Sequence, residues 1–166
     1  MKDVRLIDLP AITDPRGHLT FVEGRRHVPF DIARVYYLYN VPVDAERGGH
    51  AHRELEQVIF ALSGSFRIRL DDGETKAEHW LRNPRKGLYV SRLVWREMDS
   101  FSQGAVCMAL ASRPHEEADY YRLTPVMGCD EIFLLERGQV AARGTYGQLV
   151  ETNPLFRRMA GGEAAA

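Results

Sequence analysis

The sequence predicts an all-β fold, an antiparallel β-barrel or sandwich followed by a short C-terminal hairpin and helix. Between residues 18 and 123, short apolar or alternating segments are separated by Gly, Pro, Asn and Asp. This pattern is typical of antiparallel strands, and it contains no long helical period. Many short strands at turn-marked spacing favour either a closed barrel or two packed sheets.

The individual strands are predicted from alternation and from turn residues. In one segment Phe66, Ile68 and Leu70 share a face, and two arginines share the other. Ser63-Gly64-Ser65 predicts the hairpin turn before this strand. The predicted strands cover residues 19–23, 33–39, 56–62, 66–70, 76–81, 87–90, 93–97 and 105–111. Strands at 131–136 and 139–143, and a helix over 146–159 that is interrupted near Asn153-Pro154, are predicted to follow.

Length and composition restrict the class of protein. The chain has 166 residues and is 45% hydrophobic, which is enough for a single core. Its 22 Lys plus Arg and 23 Asp plus Glu give no basic field of the kind that holds nucleic acid. No run approaches the roughly 18 apolar residues that a membrane helix needs. We therefore expect a soluble, cytoplasmic protein that binds any anionic ligand through local arginines.

A histidine pair is the strongest candidate for a functional site. His50 and His52, in Arg47-Gly48-Gly49-His50-Ala51-His52, are separated by one residue. Side chains alternate along a strand, so both histidines lie on one face. We predict that they point into the barrel interior and form the active site. The alternative is a pair of solvent-facing histidines at the start of a strand.

The residues around the pair bear on whether it binds a metal. An HxH pair followed by hairpins resembles the first motif of the cupin superfamily, in which two histidines, a glutamate and a distant histidine usually bind a divalent metal. Gln57 stands at the acidic position, although Glu56 leaves a one-residue ambiguity, and Arg96 stands at the last histidine position. Gln is a poor ligand and Arg repels a metal. We expect no metal and no other cofactor, and acid/base chemistry by imidazoles of pKa about 6.5.

A narrower resemblance extends over roughly residues 5–123. Segments 14–21, 28–37, 47–52, 70–73, 87–90, 94–98 and 110–112, with Asp119-Tyr120, resemble in order the dTDP-4-keto-6-deoxyglucose 3,4-ketoisomerases. The resemblance implies a cupin β-barrel or jelly roll that works without a metal. It also implies a homodimer that exchanges N-terminal strands. The implied product is a 3-keto sugar nucleotide for the deoxyamino sugars of surface polysaccharides.

Moving a ketone from C4 to C3 requires a base for the C3 proton, an enediol intermediate and a proton delivered to C4. We predict that His50 abstracts the C3 proton. His52 is predicted to move protons between the oxygens or to return one to carbon. Two other cupin readings remain open, a sugar-nucleotide epimerase and a metal-dependent oxygenase using His50, His52 and Glu56. A further alternative is a non-catalytic sugar-nucleotide binding module, in which the histidines only bind the ligand by hydrogen bonds.

Several side chains are predicted to bind the dTDP-sugar. Guanidinium groups match phosphate oxygens well, so Arg47, and also Arg16 and Arg34, are candidates for the diphosphate. For each of them the alternative is a solvated surface arginine. Tyr37 is predicted to line the barrel and hydrogen-bond the sugar, with core packing as its alternative. If Arg96 reaches the sugar, it would help to decide the face on which C4 is protonated.

The last forty residues depart from this pattern. Residues 129–150 resemble the end of an ABC-transporter nucleotide-binding domain, where a strand, turn, strand and helix follow the catalytic centre. The chain has no GxxxxGK(S/T) phosphate loop, so ATPase function does not carry over. We predict a cupin domain over residues 1–127, and in 128–166 a structural appendage that is not an independent domain. The alternative is a docking element for a transporter or a glycan-assembly partner.

Overall fold

The computed structural model describes residues 3–122, 131–136 and 139–159. The chain divides into two compact units, Met1–Arg122 and Leu123–Ala166. The boundary predicted between residues 127 and 128 lies outside the described residues. Within the described ranges, no helix is both long enough and apolar enough to cross a membrane.

The first unit is built from antiparallel strands and one short 3-10 helix, Glu117–Asp119. The strands are β1 (Val4–Asp8), β2 (Ala11–Asp14), β3 (Gly17–Thr20), β4 (Arg34–Leu38), β5 (Arg47–His52), β6 (Gln57–Ser63), β7 (Phe66–Asp71), β8 (Lys76–Leu81), β9 (Lys86–Val90), β10 (Trp95–Asp99), β11 (Val106–Ala111) and β12 (Tyr120–Arg122). Most predicted segments become strands. The first predicted segment, 19–23, is shifted, because β3 ends at Thr20 after pairing with β2.

Two five-stranded sheets hold the core of this unit. The first has the strand order β1-β9-β6-β11-β4, and the second has the order β12-β5-β10-β7-β8. The hairpin β2–β3 forms a separate two-stranded sheet. Every pairing between these strands is antiparallel. The predicted all-β class is therefore confirmed, and β5, which carries the histidines, lies between β12 and β10.

The core is formed by the alternating side chains that the sequence indicated. Phe66, Ile68 and Leu70 are fully buried on β7, and the ring of Phe66 stacks on that of Phe101 at 5.1 Å between centroids. Burying each such side chain stabilises the fold by about 1.5–3 kcal/mol. The outer face of the first sheet is also covered, because Leu9, Val28 and Phe30 pack there on Val58, Phe60, Tyr89 and Leu110. Burial on both faces explains the uninterrupted apolar run of β6.

The second unit contains the predicted hairpin and interrupted helix. It comprises β13 (Ile132–Glu136), β14 (Gln139–Gly144), α1 (Tyr146–Thr152) and α2 (Pro154–Met159). Thr145 caps α1 in a capping box with Gln148. Proline has no amide hydrogen and is favoured at a first helical position, so Pro154 begins a new helix. Leu134, Leu149 and Phe156 form a small core within this unit.

Gly48 permits the close approach of β5 to β10, and its replacement gives a stability prediction. A Cβ at Gly48, where φ is +89°, would lie 2.6 Å from the backbone oxygen of Arg96. Since backbone cannot move aside cheaply, we expect Gly48→Ala to lower the free energy of unfolding by about 2–4 kcal/mol. Gly73→Ala is the matched control, with the same φ and no atom within 4 Å of the added Cβ. Equal losses in urea titrations of the two variants would contradict the proposed steric role.

Candidate active site

A cleft of about 340 Å³ is lined by His50, the first histidine of the predicted pair, and His52 lies behind it in contact with the His50 ring. His50 contributes from β5, Tyr120 from β12, and Arg34 and Tyr36 from β4, while Arg47 begins β5. This volume lies within the usual range for small-molecule sites. A larger groove of about 500 Å³ lies elsewhere, lined by residues of β7, β8 and β10 such as Trp95. It contains neither histidine, so we place the site in the smaller cleft.

The two histidines are in direct contact. Their ring centroids are 4.9 Å apart in an edge-to-face arrangement. His50 is half-buried and lines the cleft, whereas His52 is fully buried. The ring of Tyr120 lies against both, at 4.9 Å from His50 and 4.4 Å from His52. Strand alternation thus brings together the two groups that the sequence singled out, one accessible and the other enclosed.

His52 is paired with a carboxylate that the sequence analysis did not assign to the site. Asp119 Oδ2 lies 2.9 Å from His52 Nδ1, and both side chains are buried. The other carboxylate oxygen accepts the backbone N–H of Glu54 at 2.8 Å. In the described part of the chain, His52 Nε2 has no hydrogen-bond partner. Asp119 belongs to the Asp119-Tyr120 motif, which was the available signal, but nothing in the sequence showed which side chain it meets.

Arg96 places a cation beneath the histidines. It lies opposite His50 in the β10–β5 pairing and is 1% exposed. Its Nη2 donates to the backbone oxygen of Val94 at 2.7 Å, while Nε and Nη1 have no hydrogen-bond partner among the described residues. Burial lowers the pKa of Arg96 to about 10, so the group remains charged at neutral pH. Arg96 is not among the residues that line the cleft.

The environment of His52 keeps this imidazole neutral. Burial is the main cause, and the charges of Arg96 and His50 add to it. Together they lower the pKa of His52 to about 3, against the opposing effect of Asp119. A neutral imidazole with one nitrogen bound to a carboxylate can accept a proton at the other.

Gln57 has a role different from that of the acidic metal ligand found at the corresponding cupin position. It is fully buried, and its Oε1 accepts the hydroxyl proton of Tyr36 at 2.8 Å. Burial raises the pKa of Tyr36 to about 12. The guanidinium of Arg34 lies 5.1 Å from the centre of the Tyr36 ring. Gln57 therefore orients Tyr36, and the Tyr36 ring supports Arg34 at the cleft.

Besides Arg96, two predicted binding residues do not line this cleft. The prediction that Tyr37 lines the barrel is wrong: Tyr37 is 62% exposed and contacts Tyr39, whereas Tyr36 faces inward. Adjacent residues of a strand face opposite sides, so a one-residue difference reverses the orientation. Arg16 lies in the turn between β2 and β3, strongly exposed and paired with Asp14 at 2.6 Å. It does not line this cleft.

The donor set around the histidines offers little to a metal ion. Across the residues that the structure describes, no group of three or more His, Cys, Asp or Glu side chains is placed to hold one. His52 Nδ1 is bound to Asp119, and the nearby Gln57 oxygen is bound to Tyr36. The predicted metal-free chemistry stays a prediction, which elemental analysis of the purified protein tests.

Two antiparallel sheets enclosing a histidine-lined cleft with arginines define a cupin-fold protein whose site suits an anionic ligand. A family model described as "WxcM-like, C-terminal" (FdtA) matches residues 2–125. A curated TDP-4-oxo-6-deoxy-α-D-glucose-3,4-oxoisomerase from Aneurinibacillus thermoaerophilus is 45% identical over 118 residues, 71% of this chain and 85% of that protein. The chain therefore belongs to the WxcM-like family of sugar-nucleotide 3,4-ketoisomerases, and the predicted resemblance is confirmed.

Solved structures agree with this assignment. The 3,4-ketoisomerase QdtA from Thermoanaerobacterium thermosaccharolyticum, in complex with TDP, is 45% identical with a TM-score of 0.72. The match covers 74% of this chain and 89% of that one. The TDP-quinovose 3,4-ketoisomerase WlaRB from Campylobacter jejuni is 43% identical with a TM-score of 0.71, covering 74% and 94% of the two chains. The predicted cupin fold and enzyme class are thereby confirmed.

A second, weaker likeness concerns transporters. A multidrug resistance ABC transporter ATP-binding and permease protein from Lactococcus lactis subsp. lactis (strain IL1403) is 30% identical over 100 residues. The match covers 58% of this chain but 16% of the transporter. So small a share of the transporter carries no activity over to this chain, and the role predicted for the C-terminal unit stays a prediction.

Proposed function

We propose that the protein converts TDP-4-keto-6-deoxyglucose to a TDP-3-keto-6-deoxyhexose through an enediol, for deoxyamino sugar biosynthesis in the cytoplasm. The observation that carries the proposal is that His50, in ring contact with the buried His52, lines a cleft that also presents Arg34 and Arg47. A relative supports the choice of substrate. A histidine-to-asparagine mutant of QdtA, 44% identical to this chain, has been crystallised in complex with TDP-4-keto-6-deoxyglucose.

Arg34 and Arg47 are proposed to bind the diphosphate. Both line the cleft that contains His50; Arg34 begins β4 of the first sheet and Arg47 begins β5 of the second. Planar guanidinium groups bind phosphate oxygens with paired, charge-assisted hydrogen bonds. Anchoring the diphosphate there leaves the sugar ring to reach the histidines, because His50 lines the same cleft.

The proton transfers then follow from which groups are accessible. His50 lines the cleft, so we assign to it the C3 proton. As the C3–H bond breaks, its electron pair forms the C3–C4 double bond, and the carbonyl π electrons move to the C4 oxygen. The C3 hydroxyl then gives up its proton and the O–H electron pair forms the C3 ketone. The C3–C4 π electrons take up a proton at C4 from protonated His50, and the C4 oxygen takes up the proton that the C3 hydroxyl lost. The reaction is an internal redistribution of electrons, so the balance needs no external oxidant or reductant.

Arg96 is proposed to stabilise the intermediate by its charge. Negative charge develops on the sugar oxygens in the enediolate, and Arg96 lies beneath the histidines, cationic and buried. A fixed charge in a site of low dielectric constant stabilises such a developing charge more strongly than water does. Nε and Nη1 of Arg96 have no hydrogen-bond partner among the described residues, so these two groups can donate to the enediolate.

The direct test is incubation of the protein with TDP-4-keto-6-deoxyglucose in heavy water, followed by NMR. We expect the C4 keto signal to be replaced by a C3 keto signal, with solvent deuterium at C4 of the product. The same spectrum gives the C4 configuration. Unchanged substrate would contradict the proposal. Deuterium at C3 without a 3-keto product would indicate an epimerase.

We further propose that the protein is a homodimer in which N-terminal strands are exchanged. The hairpin β2–β3 exposes Ile12 and Leu19 at more than half of their surface, and β4 at the sheet edge exposes Val35 and Tyr37 similarly. Ile12 and Leu19 are cross-strand partners, and exposed apolar patches of this kind are typical of protein interfaces. Arg16 lies in the turn of the same hairpin. Exchange would carry Arg16 to the cleft of the partner, which accounts for its distance from the cleft of its own protomer.

A double-mutant cycle tests this arrangement. We expect Ile12→Asp with Leu19→Asp to give a monomer by light scattering, and Arg16→Ala to raise KM about tenfold, the equivalent of one lost charge-assisted hydrogen bond. The two effects on KM should not add, because a monomer already lacks Arg16 at the site. Leu62→Asp, at an exposed apolar position outside the hairpin, is the control for the added charge. Additive effects, or a monomeric wild type, would contradict strand exchange.

A further inference from the structure

Asp119 occupies a position that the proposed reaction has not yet used. It ends the short helix Glu117–Asp119, and the next residue, Tyr120, begins β12 and pairs with His52 of β5. This pairing brings the Asp119 carboxylate to His52, with Oδ2 2.9 Å from Nδ1. Both side chains are buried, at 9% and 0% exposure. Water therefore competes little for this hydrogen bond.

The backbone around Asp119 restricts what the carboxylate can do. Its Oδ1 accepts the N–H of Glu54 at 2.8 Å. Its main-chain oxygen accepts the N–H of Arg53 at 2.8 Å, and its own N–H donates to the oxygen of Glu116 at 3.1 Å. A backbone N–H is always a donor, so Oδ1 must remain an acceptor. An ionised carboxylate also accepts at Oδ2, so the nitrogen facing it must carry the proton.

We propose that Asp119 is a positioning residue that holds His52 in the Nδ1–H tautomer and so keeps Nε2 free to carry a proton in the reaction. The inference rests on the proposed ketoisomerisation and assigns His52 its part in it. As the C3–O–H bond breaks and the C3 ketone forms, Nε2 takes that proton. The N–H bond then breaks as the proton passes to the C4 oxygen. The carboxylate stabilises the imidazolium that exists between these two steps.

Asp119→Asn gives a sharp test because the fixed donor at Glu54 dictates how the amide must turn. The amide oxygen has to face the Glu54 N–H, so the amide NH₂ faces His52 Nδ1. Nδ1 must then accept, and the proton moves to Nε2. Both hydrogen bonds survive, so we expect the melting temperature to change little. We expect kcat to fall about 10²–10⁴-fold, the usual contribution of a proton-transfer group, with KM unchanged.

The tautomer itself is read by long-range ¹H–¹⁵N NMR of the imidazole nitrogens, with His52 assigned by the loss of its signals in His52→Gln. The wild type should carry its proton on Nδ1 and Asp119→Asn should carry it on Nε2. Asp119→Glu, which keeps two acceptor oxygens, should restore the Nδ1 proton and part of kcat. Glu116→Gln is the matched control, an exposed carboxylate three residues away, and should change neither.

The outcomes separate this inference from the proposed function. A wild-type protein that does not isomerise the sugar nucleotide contradicts the proposed function and, with it, the assigned proton transfer. A wild type that isomerises but carries the His52 proton on Nε2 overturns the inference alone, and this holds even if the variants fail to fold. Wild-type kcat in Asp119→Asn also overturns it. A purely structural role predicts lower stability in Asp119→Asn with kcat of the folded protein unchanged.

Discussion

Replacing both His50 and His52 by asparagine is expected to abolish isomerisation, lowering kcat/KM by about 10⁴-fold or more. Each histidine is proposed to transfer a proton, and a positioned acid or base contributes about 10²–10⁴-fold to rate. The two rings are in contact, and among the described residues that line the cleft His50 is the one histidine, so no other imidazole is placed there to take over. Asparagine is close to histidine in size but has no group that exchanges protons near neutral pH. The loss should therefore reflect chemistry rather than packing.

The measurements are product formation by NMR and TDP affinity by calorimetry. Arg34 and Arg47 remain in place in the double variant, so the Kd for TDP should stay near that of the wild type. His79→Asn is the control, because His79 lies on β8 at the far edge of the same sheet. The single variant His50→Asn tests the role of His50 by itself, and it should stop exchange of the C3 proton with solvent. Full isomerisation by the double variant would refute acid/base catalysis by this pair.

The histidine pair could be predicted because its geometry is local. Two residues at i and i+2 of a strand share a face whatever the rest of the fold does, so His50 and His52 had to converge if that segment became a strand. The alternation of Phe66, Ile68 and Leu70 predicted the core for the same reason. The prediction of a site without a metal also depended on single positions. Gln57 and Arg96 stand where the cupin motifs have metal ligands, and neither residue type is a good ligand.

Tyr37 and Asp119 show where this reasoning stops. In the segment Arg34–Leu38 both faces carry apolar or aromatic residues, so alternation did not show which of two adjacent tyrosines faces the cleft. The inward position falls to Tyr36 because β4 pairs with β11 in one register. Asp119 is 67 residues from His52, and its contact depends on the pairing of β12 with β5. Pairing between such distant segments is a property of the whole fold, which the local pattern does not contain.

Arg96→Met is expected to lower turnover about 10²-fold while leaving the free energy of unfolding unchanged or raising it. Two nitrogens of the buried guanidinium have no hydrogen-bond partner in the described part of the chain. Their desolvation is therefore not compensated and lowers the stability of the fold. Methionine fills a similar volume without that cost, and apolar replacements of buried charged groups are often neutral or stabilising. The reaction loses the cation that stabilises the enediolate, and loss of one such group typically costs about 10²–10³-fold in kcat.

The same variant should change the response of stability to acid. The pKa of His52 is lowered to about 3 in the folded protein, so the unfolded chain takes up a proton that the folded chain does not as the pH falls below about 6.5. The wild type therefore loses stability between pH 7 and pH 5. Arg96 is one cause of the lowered pKa, so its removal raises the pKa of His52, and the loss of stability should end at a higher pH than in the wild type.

Urea unfolding from pH 7 down to about pH 3, the folded-state pKa of His52, with turnover measured at pH 7, checks both effects. Arg67→Met is the matched control, because Arg67 lies on the outer side of β7 and is paired with Asp99 at 2.8 Å. Its loss should reduce stability slightly and leave turnover unchanged, the opposite of the result expected at Arg96. Arg96→Lys, which keeps a cation, should retain more activity than Arg96→Met. If Arg96→Met is instead unstable and fully active, the buried cation supports the fold and not the intermediate.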